Sequence, residues 1–394
     1  MDSKIFIEVK CEQGNHVGED ICGDVFHYKF IKEENRIIAI LADGMGHGVK
    51  ANMMATLTAT MALGFRKTFM DHSELAEKIL NTLPESSKTH TSYSTFSIID
   101  IEIGNRVSIL EYGNPECILI RGLKEYRPEW EIIPIKPKLN LESPLRFCSF
   151  VPEIGDRIFA FSDGITQSGL GSADYPVGYG RANLLKYISS TLKENPTSSA
   201  GSLAIKIKSL AFKNDHYIAR DDMSCVSIYF REPRKLLVAT GPPYENMSDH
   251  TFAEKVKNFD GRKIVCGATT AEIIARELHL PIKESIERND PELPPTSEIE
   301  GFDLVSEGIL TLSKVSRILT NFRINYPLGK GPADQIIRIF IKSDEIYFLT
   351  GTGINPAHHN PTLPVDIEIR RAVIPKIAFL LEEKLLKKAF IEYI

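Results

Sequence analysis

Three short runs of unbroken apolar residues stand out along the chain, and each adjoins aspartate. Arg36-Ile-Ile-Ala-Ile-Leu-Ala-Asp43 ends on one, Arg157-Ile-Phe-Ala-Phe-Ser-Asp163 ends on another, and Met223 to Phe230 follows the pair Asp221-Asp222. Short runs rich in Ile, Val and Phe predict core strands. Between them, Gly48 to Phe65 is rich in Ala and Met and free of proline, which predicts a buried helix with its methionines as core filler. Glu74 to Leu83 predicts a second helix, ended near Pro84. Ser94 to Leu119 alternates on both sides of Gly104-Asn105 and predicts a hairpin or meander. Strand-rich stretches mixed with helices, without regular βαβ alternation, point to α+β layering.

Residues 231–245 mark a boundary, and the pattern changes after it. Lys263 to Glu277 predicts a strand, a glycine turn and a helix with Thr at its N-cap. Residues 283–300 are acidic and proline-rich, an exposed excursion. Asp303 to Leu319 predicts a helix, and Ile336 to Leu349 a strand hairpin around Ser343-Asp344. Leu236 to Pro242 and Ile346 to Thr352 echo each other as apolar strands ending in Thr-Gly, as two parallel strands ending at one edge would. The expected organisation is a first domain over 1–232 and a smaller α/β domain over 233–394.

Composition narrows the function classes. The chain has 394 residues, 43% hydrophobic and 25% charged, enough apolar material for two cores. Its formal net charge of −5 gives no electrostatic reason to expect nucleic acid or an anionic membrane, so a protein partner fits better. No stretch of about 18 uncharged apolar residues occurs, and the start carries charges where a signal peptide needs an apolar run. The six cysteines are scattered without a C-x-x-C pair, which argues against a zinc site or a disulfide framework and for the cytoplasm.

The candidate chemistry lies in carboxylates: Asp24, Asp43, Asp163 and the pair Asp221-Asp222. An ionised carboxylate beside dry core needs a partner, and no arginine stands next to Asp43 or Asp163 in the chain. Oxygen-only ligation selects Mg²⁺ or Mn²⁺ over zinc. A lone Asp-Gly is ordinarily a turn. The turn explanation weakens when Asp43-Gly44 and Asp163-Gly164 recur beside core strands with a third acid before another.

Cys22-Gly-Asp-Val-Phe, Leu41-Ala-Asp-Gly-Met-Gly-His-Gly-Val-Lys-Ala51, Tyr112-Gly-Asn-Pro-Glu, Phe161-Ser-Asp-Gly-Ile-Thr and Asp221-Asp-Met-Ser occur in that order. The set, over about 10–230, resembles the metal-dependent protein phosphatases (PPM), and Asp-Gly-Met-Gly-x-Gly is similar to their sporulation stage II protein E branch. The resemblance implies a sandwich of two antiparallel sheets flanked by helices, with two divalent cations, Mn²⁺ or Mg²⁺, at one end. It implies that Asp43 bridges both ions, that the Gly44 carbonyl binds one, and that Asp163 and Asp221 hold the other. Asp24 is then a direct or water-mediated ligand, and Asp221 is favoured over Asp222. The implied catalytic set is Asp43, Asp163 and Asp221, with a metal-bound water attacking phosphoserine or phosphothreonine in line. The implied partner is a phosphorylated protein such as an anti-sigma-factor antagonist in bacterial signalling. A homodimer is left open.

Several features stay open on sequence grounds. His47 is either a general acid or a plain helix-start residue. Residues 165–192 form a Gly-rich segment, either a surface loop or a flap that recognises substrate. Gly267-Ala-Thr269-Thr270 suits a small anion at a helix start, against a simply capped helix. Asp303 to Gly308 and Thr350 to Gly353 are candidates to line the same pocket. His358-His359 reads as loop. The rival functions are a catalytically dead partner-binding phosphatase fold, and an anion- or nucleotide-sensing protein centred on 233–394.

Overall fold

Strand β3 (Arg36–Gly44) explains the first apolar run, because it is covered on both faces. It lies inside a six-stranded antiparallel sheet with β2 (Asp24–Ile31), β4 (Ser94–Glu102), β5 (Arg106–Tyr112), β9 (Leu145–Phe150) and β8 (Trp130–Ile133), in the order β2-β3-β4-β5-β9-β8. A second sheet runs β1 (Phe6–Gly14), β11 (Met223–Arg231), β10 (Arg157–Phe161), β6 (Ile118–Arg121) and β7 (Lys124–Glu125). The structure, a computed structural model, describes residues 5–66, 72–82, 94–134, 144–244, 249–285, 287–323, 326–353 and 363–394. The chain divides into two units, Met1–Glu232 and Pro233–Ile394.

In the first unit the sheets face each other across Ile37, Ala39 and Leu41 of β3, Ile158 and Ala160 of β10, and Val226 and Ile228 of β11. The alternate residues point outward and are covered in turn. Helices α1 (Gly48–Arg66) and α2 (His72–Thr82) pack on Ile38, Ile40 and Ala42. The short α3 (Asp163–Thr166) leads to α4 (Gly180–Glu194) and α5 (Ala200–Asn214), whose Leu184, Ile188 and Leu203 cover Phe159 and Phe161. This is a helix-flanked antiparallel sandwich, as expected. Helix α1 departs from expectation in one respect: it is not buried all round. Its buried face is Ala51, Ala55, Ala59 and Ala62, while Val49 and Met53 are each 60% exposed. Close approach to β3 admits only small side chains, so the large apolar ones face away.

The second unit is α/β. Its sheet runs β14 (Lys283–Glu284), β15 (Ser297–Glu298), β16 (Leu304–Ser306), β13 (Arg262–Cys266), β12 (Lys235–Thr240), β17 (Glu345–Thr350) and β18 (Lys388–Tyr393). The last five named are mutually parallel. Helices α6 (Asp249–Lys257) and α7 (Ala268–Leu278) cover one face. Helices α8 (Ile309–Asn321), α9 (Pro332–Lys342) and α10 (Leu363–Leu385) cover the other. The two Thr-Gly strands are neighbours in parallel register, Thr240 opposite Thr350.

Five expectations in this unit are corrected. Leu236 to Thr240 belongs to β12, the middle one of the five parallel strands, so the boundary shrinks to the few residues after β11. Residues 304–306 are a buried strand, because they insert beside β13 before α8 begins. Residues 336–342 are helical: Pro332 opens the helix, and Ile336, Ile337 and Phe340 make one buried face. The N-cap of α7 is Gly267, with the threonines inside the first turn. The stretch 283–300 also contributes Leu293 and Ile299 to the cores.

Candidate functional site

The antiparallel register of β2 on β3 sets Asp24 directly opposite Asp43. Strands β10 and β11 are also antiparallel neighbours, so the end of one and the start of the other meet. Asp163 opens α3 there, and Asp221-Asp222 leads into β11. Two bonds stitch the junction: Ser162 N–H donates to the Ser224 carbonyl at 3.1 Å, and Ser162 Oγ donates to the Asp222 carbonyl at 3.3 Å. The Asp163 N–H lies close enough to favour the ionised form of Asp43. All five acids singled out from the sequence thus fall within one another's field.

That field is uncompensated. Burial, then Asp222 and Asp163, pushes Asp24 up to about 7, although the Ser224 and Ser162 hydroxyls favour its ionised form. Those hydroxyls stand outside bonding geometry, and neither carboxylate oxygen of Asp24 has a hydrogen-bond partner. Asp43 is held well above the carboxylate range by burial and then by Asp24, Asp163 and Asp221. Burial also raises Asp163. Asp221 is pushed up to about 6 by burial and Asp163, with the Asp222 N–H and the His16 ring pulling the other way. Asp222 is 2% exposed; its Oδ1 accepts the His16 N–H at 2.9 Å, and its Oδ2 has no partner. Among the described residues, no lysine or arginine is a leading influence on Asp24, Asp43, Asp163 or Asp221.

Buried like charges with orphaned oxygens are unstable without positive charge. Among the described residues, no three His, Cys, Asp or Glu side chains stand ready-made around one point. The fit to a cation is one of charge and donor type: carboxylate oxygens only, which suits hard divalent ions. Asp221 is more open than the deeply buried Asp222, whose Oδ1 is already engaged.

Two glycines let this cluster form. A Cβ on Gly44 would lie 2.1 Å from the Ala51 carbonyl, so only glycine lets α1 fold back onto the end of β3. A Cβ on Gly164 would lie 2.2 Å from the Asp222 carbonyl. The motif Tyr112-Gly-Asn-Pro-Glu braces the same region: Asn114 Nδ2 donates to the Leu41 carbonyl and to Ser97 Oγ.

Sequence reasoning missed His16 and Glu19. The rings of His16 and His47 stack at 4.1 Å with 9° between their planes, and Glu19 Oε1 holds His47 Nδ1 at 2.7 Å. No motif marks either residue; the pairing arises because the β1–β2 loop folds over the start of α1. His47 is thus an imidazole held by a carboxylate just before the start of α1. The segment after α3 is tied down: Asp215 Oδ1 accepts the Gly169 N–H at 2.6 Å, and Arg220 donates to the Leu170 carbonyl.

In the second unit, Gly267 begins α7 at φ 135°, and Thr270 is buried. Ser306 to Gly308 and Thr350 to Gly353 end on the same carboxyl edge of the sheet as Gly267. Asp303 does not: it sits at the amino end, accepting from Arg262 Nε and the Lys263 N–H. His358-His359 lies outside the described residues.

The sequence profile of the Stage II sporulation protein E (SpoIIE) family matches residues 33–231, just over half of the chain. No curated protein sequence matches. Among solved structures, the phosphatase domain of the cell-fate determinant SpoIIE from Bacillus subtilis is 15% identical. That likeness covers 59% of this chain and 95% of that one, with a TM-score of 0.45. The RsbU and RsbW domains of Rv1364c from Mycobacterium tuberculosis are 17% identical, over 69% and 70%, with a TM-score of 0.43. The catalytic domain of the serine/threonine phosphatase PstP, in complex with two manganese ions, is 14% identical, over 58% and 100%, with a TM-score of 0.38.

Proposed function

The chain belongs to the stage II sporulation protein E (SpoIIE) family, and from that premise we propose that residues 1–232 are a divalent-cation-dependent protein serine/threonine phosphatase. The observation that carries this reading is the buried acid cluster: five carboxylates lie together, no lysine or arginine among the described residues is a leading influence on them, and both Asp24 oxygens lack a partner. Asp43, the Gly44 carbonyl, Asp163 and Asp221 would hold two ions, Mn²⁺ or Mg²⁺, with Asp24 and Asp222 supporting them. Bound there, such ions supply positive charge for a phosphoryl group and lower the pKa of water.

The chain's own residues do the rest. Ser162 and Ser224 steady the loops that carry Asp163, Asp221 and Asp222. Glu19 orients His47 through Nδ1, which leaves the other ring nitrogen to pass a proton. The pinned segment after Asp163 gives a substrate protein a fixed wall. The partner is a phosphoserine or phosphothreonine protein, in the manner of an anti-sigma-factor antagonist in a bacterial partner-switching pathway, in the cytoplasm. Residues 233–394 serve as a regulatory, ligand-sensing domain, with a small anion at Gly267, Thr269 and Thr270.

The test is hydrolysis of a phosphoserine peptide with manganese and with chelator. Turnover in manganese, lost in chelator, supports the reading; equal turnover in both defeats it. Asp221→Asn should impair turnover more than Asp222→Asn, and the opposite order would reassign the ligand.

A further inference from the structure

Counted in chain order, the parallel strands of the second unit stand 3-2-1-4-5 across the sheet, which puts β18 at one edge and the short β14 at the other. The two edges are built differently. Strand β14 is two residues long, and both, Lys283 and Glu284, are charged and exposed, which blunts that edge against further pairing. Strand β18 pairs with β17 along all six of its residues and contains no proline. Its Phe390 and Tyr393 are 44% and 46% exposed, and Leu386 just before it is 83% exposed. Among the described residues, no strand lies beyond it. A regular edge of this length with exposed apolar side chains is a template for another strand.

The backbone bonds fix which groups face outward. The Lys388 N–H donates to the Asp344 carbonyl, the Ile394 N–H donates to the Thr350 carbonyl, and the Ile394 carbonyl accepts the Thr352 N–H. Residues 388, 390, 392 and 394 therefore bond to β17, and Ala389, Ile391 and Tyr393 turn their N–H and C=O groups to the open edge. The Ala389 N–H has a long contact there with Glu382 Oε1, 3.4 Å away. Against an antiparallel copy of β18, outward residues must stand opposite outward residues. The two-fold axis then passes through a residue and not between two, and the central choices are Phe390 and Ile391.

The side chains decide between them. With the axis at Phe390, Lys388 of each copy stands opposite Glu392 of the other, and Phe390 faces its counterpart. With the axis at Ile391, Phe390 would face Glu392 instead. On this face of the sheet each chain carries Glu345 beside Lys388, at 3.7 Å, and Lys255 beside Glu392. An axis at Phe390 joins these into rows of alternating charge: Glu345 and Lys388, then Glu392 and Lys255 of the second copy. Between the rows lie aromatic rings, Phe259 against Tyr347 at 5.4 Å and Tyr347 stacked on Phe390 at 4.8 Å. The aromatic row stops at the edge, and the same axis continues it into the matching rings of the second copy.

We propose that β18 pairs with β18 of a second copy of this chain, antiparallel about Phe390, so that two seven-stranded sheets join into one. Ala389 and Ile391 of each chain then exchange N–H and C=O bonds with Ile391 and Ala389 of the other, and the Ala389 N–H gives up its long contact with Glu382. The two Phe390 residues form a non-hydrogen-bonded pair, with Cα atoms about 4.5 Å apart. Aromatic pairs and opposite charges suit such facing positions, and here they fix the register together. The self-complementary spacing of Lys388, Phe390 and Glu392 is what selects a second copy over an unrelated strand.

The experiment is sedimentation of the full chain over a range of concentrations, for wild type, Lys388→Glu, Glu392→Lys and an equimolar mixture of the two variants. Wild type should dimerise. Each variant alone sets like charges opposite each other at both seams, and should self-associate about tenfold more weakly. In the mixture both seams carry opposite charges again, so the dimer should return, which a misfolded variant could not achieve. Phe390→Cys should cross-link into a dimer on mild oxidation well beyond the wild-type level, since the Cα spacing of about 4.5 Å lies within disulfide reach. A wild type that stays monomeric up to about 100 μM would overturn the proposal and leave the edge to a strand of another protein. So would a dimer that both single variants keep unchanged, or a Phe390→Cys chain that cross-links no more than wild type.

Discussion

Replacing Asp24 with asparagine should move stability in opposite directions with and without metal. Asp24 is 2% exposed with neither oxygen bonded, and its carboxyl is pushed up to about 7 by burial and then by Asp222 and Asp163. In the metal-free protein the folded state therefore keeps a proton that the unfolded chain releases near 3.8. Stability is whole below that value and falls as pH rises through the folded pKa. Three pKa units at about 1.4 kcal/mol each set a ceiling of about 4 kcal/mol on the loss. The other acids relax when one is neutralised, so the expected gain for Asp24→Asn in chelator at about pH 8 lies between about 1 and 4 kcal/mol, vanishing near pH 4. In manganese the wild type gains by mass action, and the variant, short of a ligand, gains less. Urea unfolding at both pH values, with chelator and with manganese, reads all of this. A variant less stable than wild type in chelator at the higher pH would refute the claim that these acids repel one another in the absence of a cation.

Three further outcomes follow from particular contacts. Gly44→Ala drives a Cβ to 2.1 Å from the Ala51 carbonyl; it should destabilise by roughly 3 kcal/mol and abolish turnover, and a melting temperature equal to wild type would contradict the close approach. Glu111 sits under the Gly113-Asn114 turn, accepting the Cys117 N–H at 2.9 Å, and burial pushes it up to about 7. Its folded pKa is raised, so wild type should lose about 3 kcal/mol between pH 4.5 and 7 through this group; Glu111→Gln should lack that slope, and identical pH profiles would count against it. Residues 1–232 alone should fold and hydrolyse a phosphopeptide in manganese, and an inert folded fragment would show that 233–394 contributes to the reaction.

What the sequence disclosed depended on locality. Strands β3, β10 and β11 were legible because each is buried on both faces, so no polar alternation interrupts the run. The acids at their ends were legible for the same reason: a carboxylate beside dry core has to be explained. The segment Ile336 to Lys342 was not, because its apolar residues satisfy both a two-residue and a 3.6-residue period, and only Pro332 and the packing of Phe340 decide. The three-residue β16 hides inside a helix-like stretch, since strand identity there comes from pairing with β13. His16, Glu19 and the 3-2-1-4-5 strand order rest on contacts between distant parts of the chain, such as Lys235–Thr240 with Glu345–Thr350, which no local pattern encodes.

The central claim is that the acids at the strand ends hold the divalent cations on which phosphate-ester hydrolysis depends. Manganese titration of wild type and Asp43→Asn, paired with turnover of a phosphoserine peptide and circular dichroism, tests it most directly. The account predicts that wild type binds two ions and turns over, and that Asp43→Asn keeps its fold but loses both properties. A folded Asp43→Asn protein that hydrolyses the peptide at the wild-type rate would contradict it.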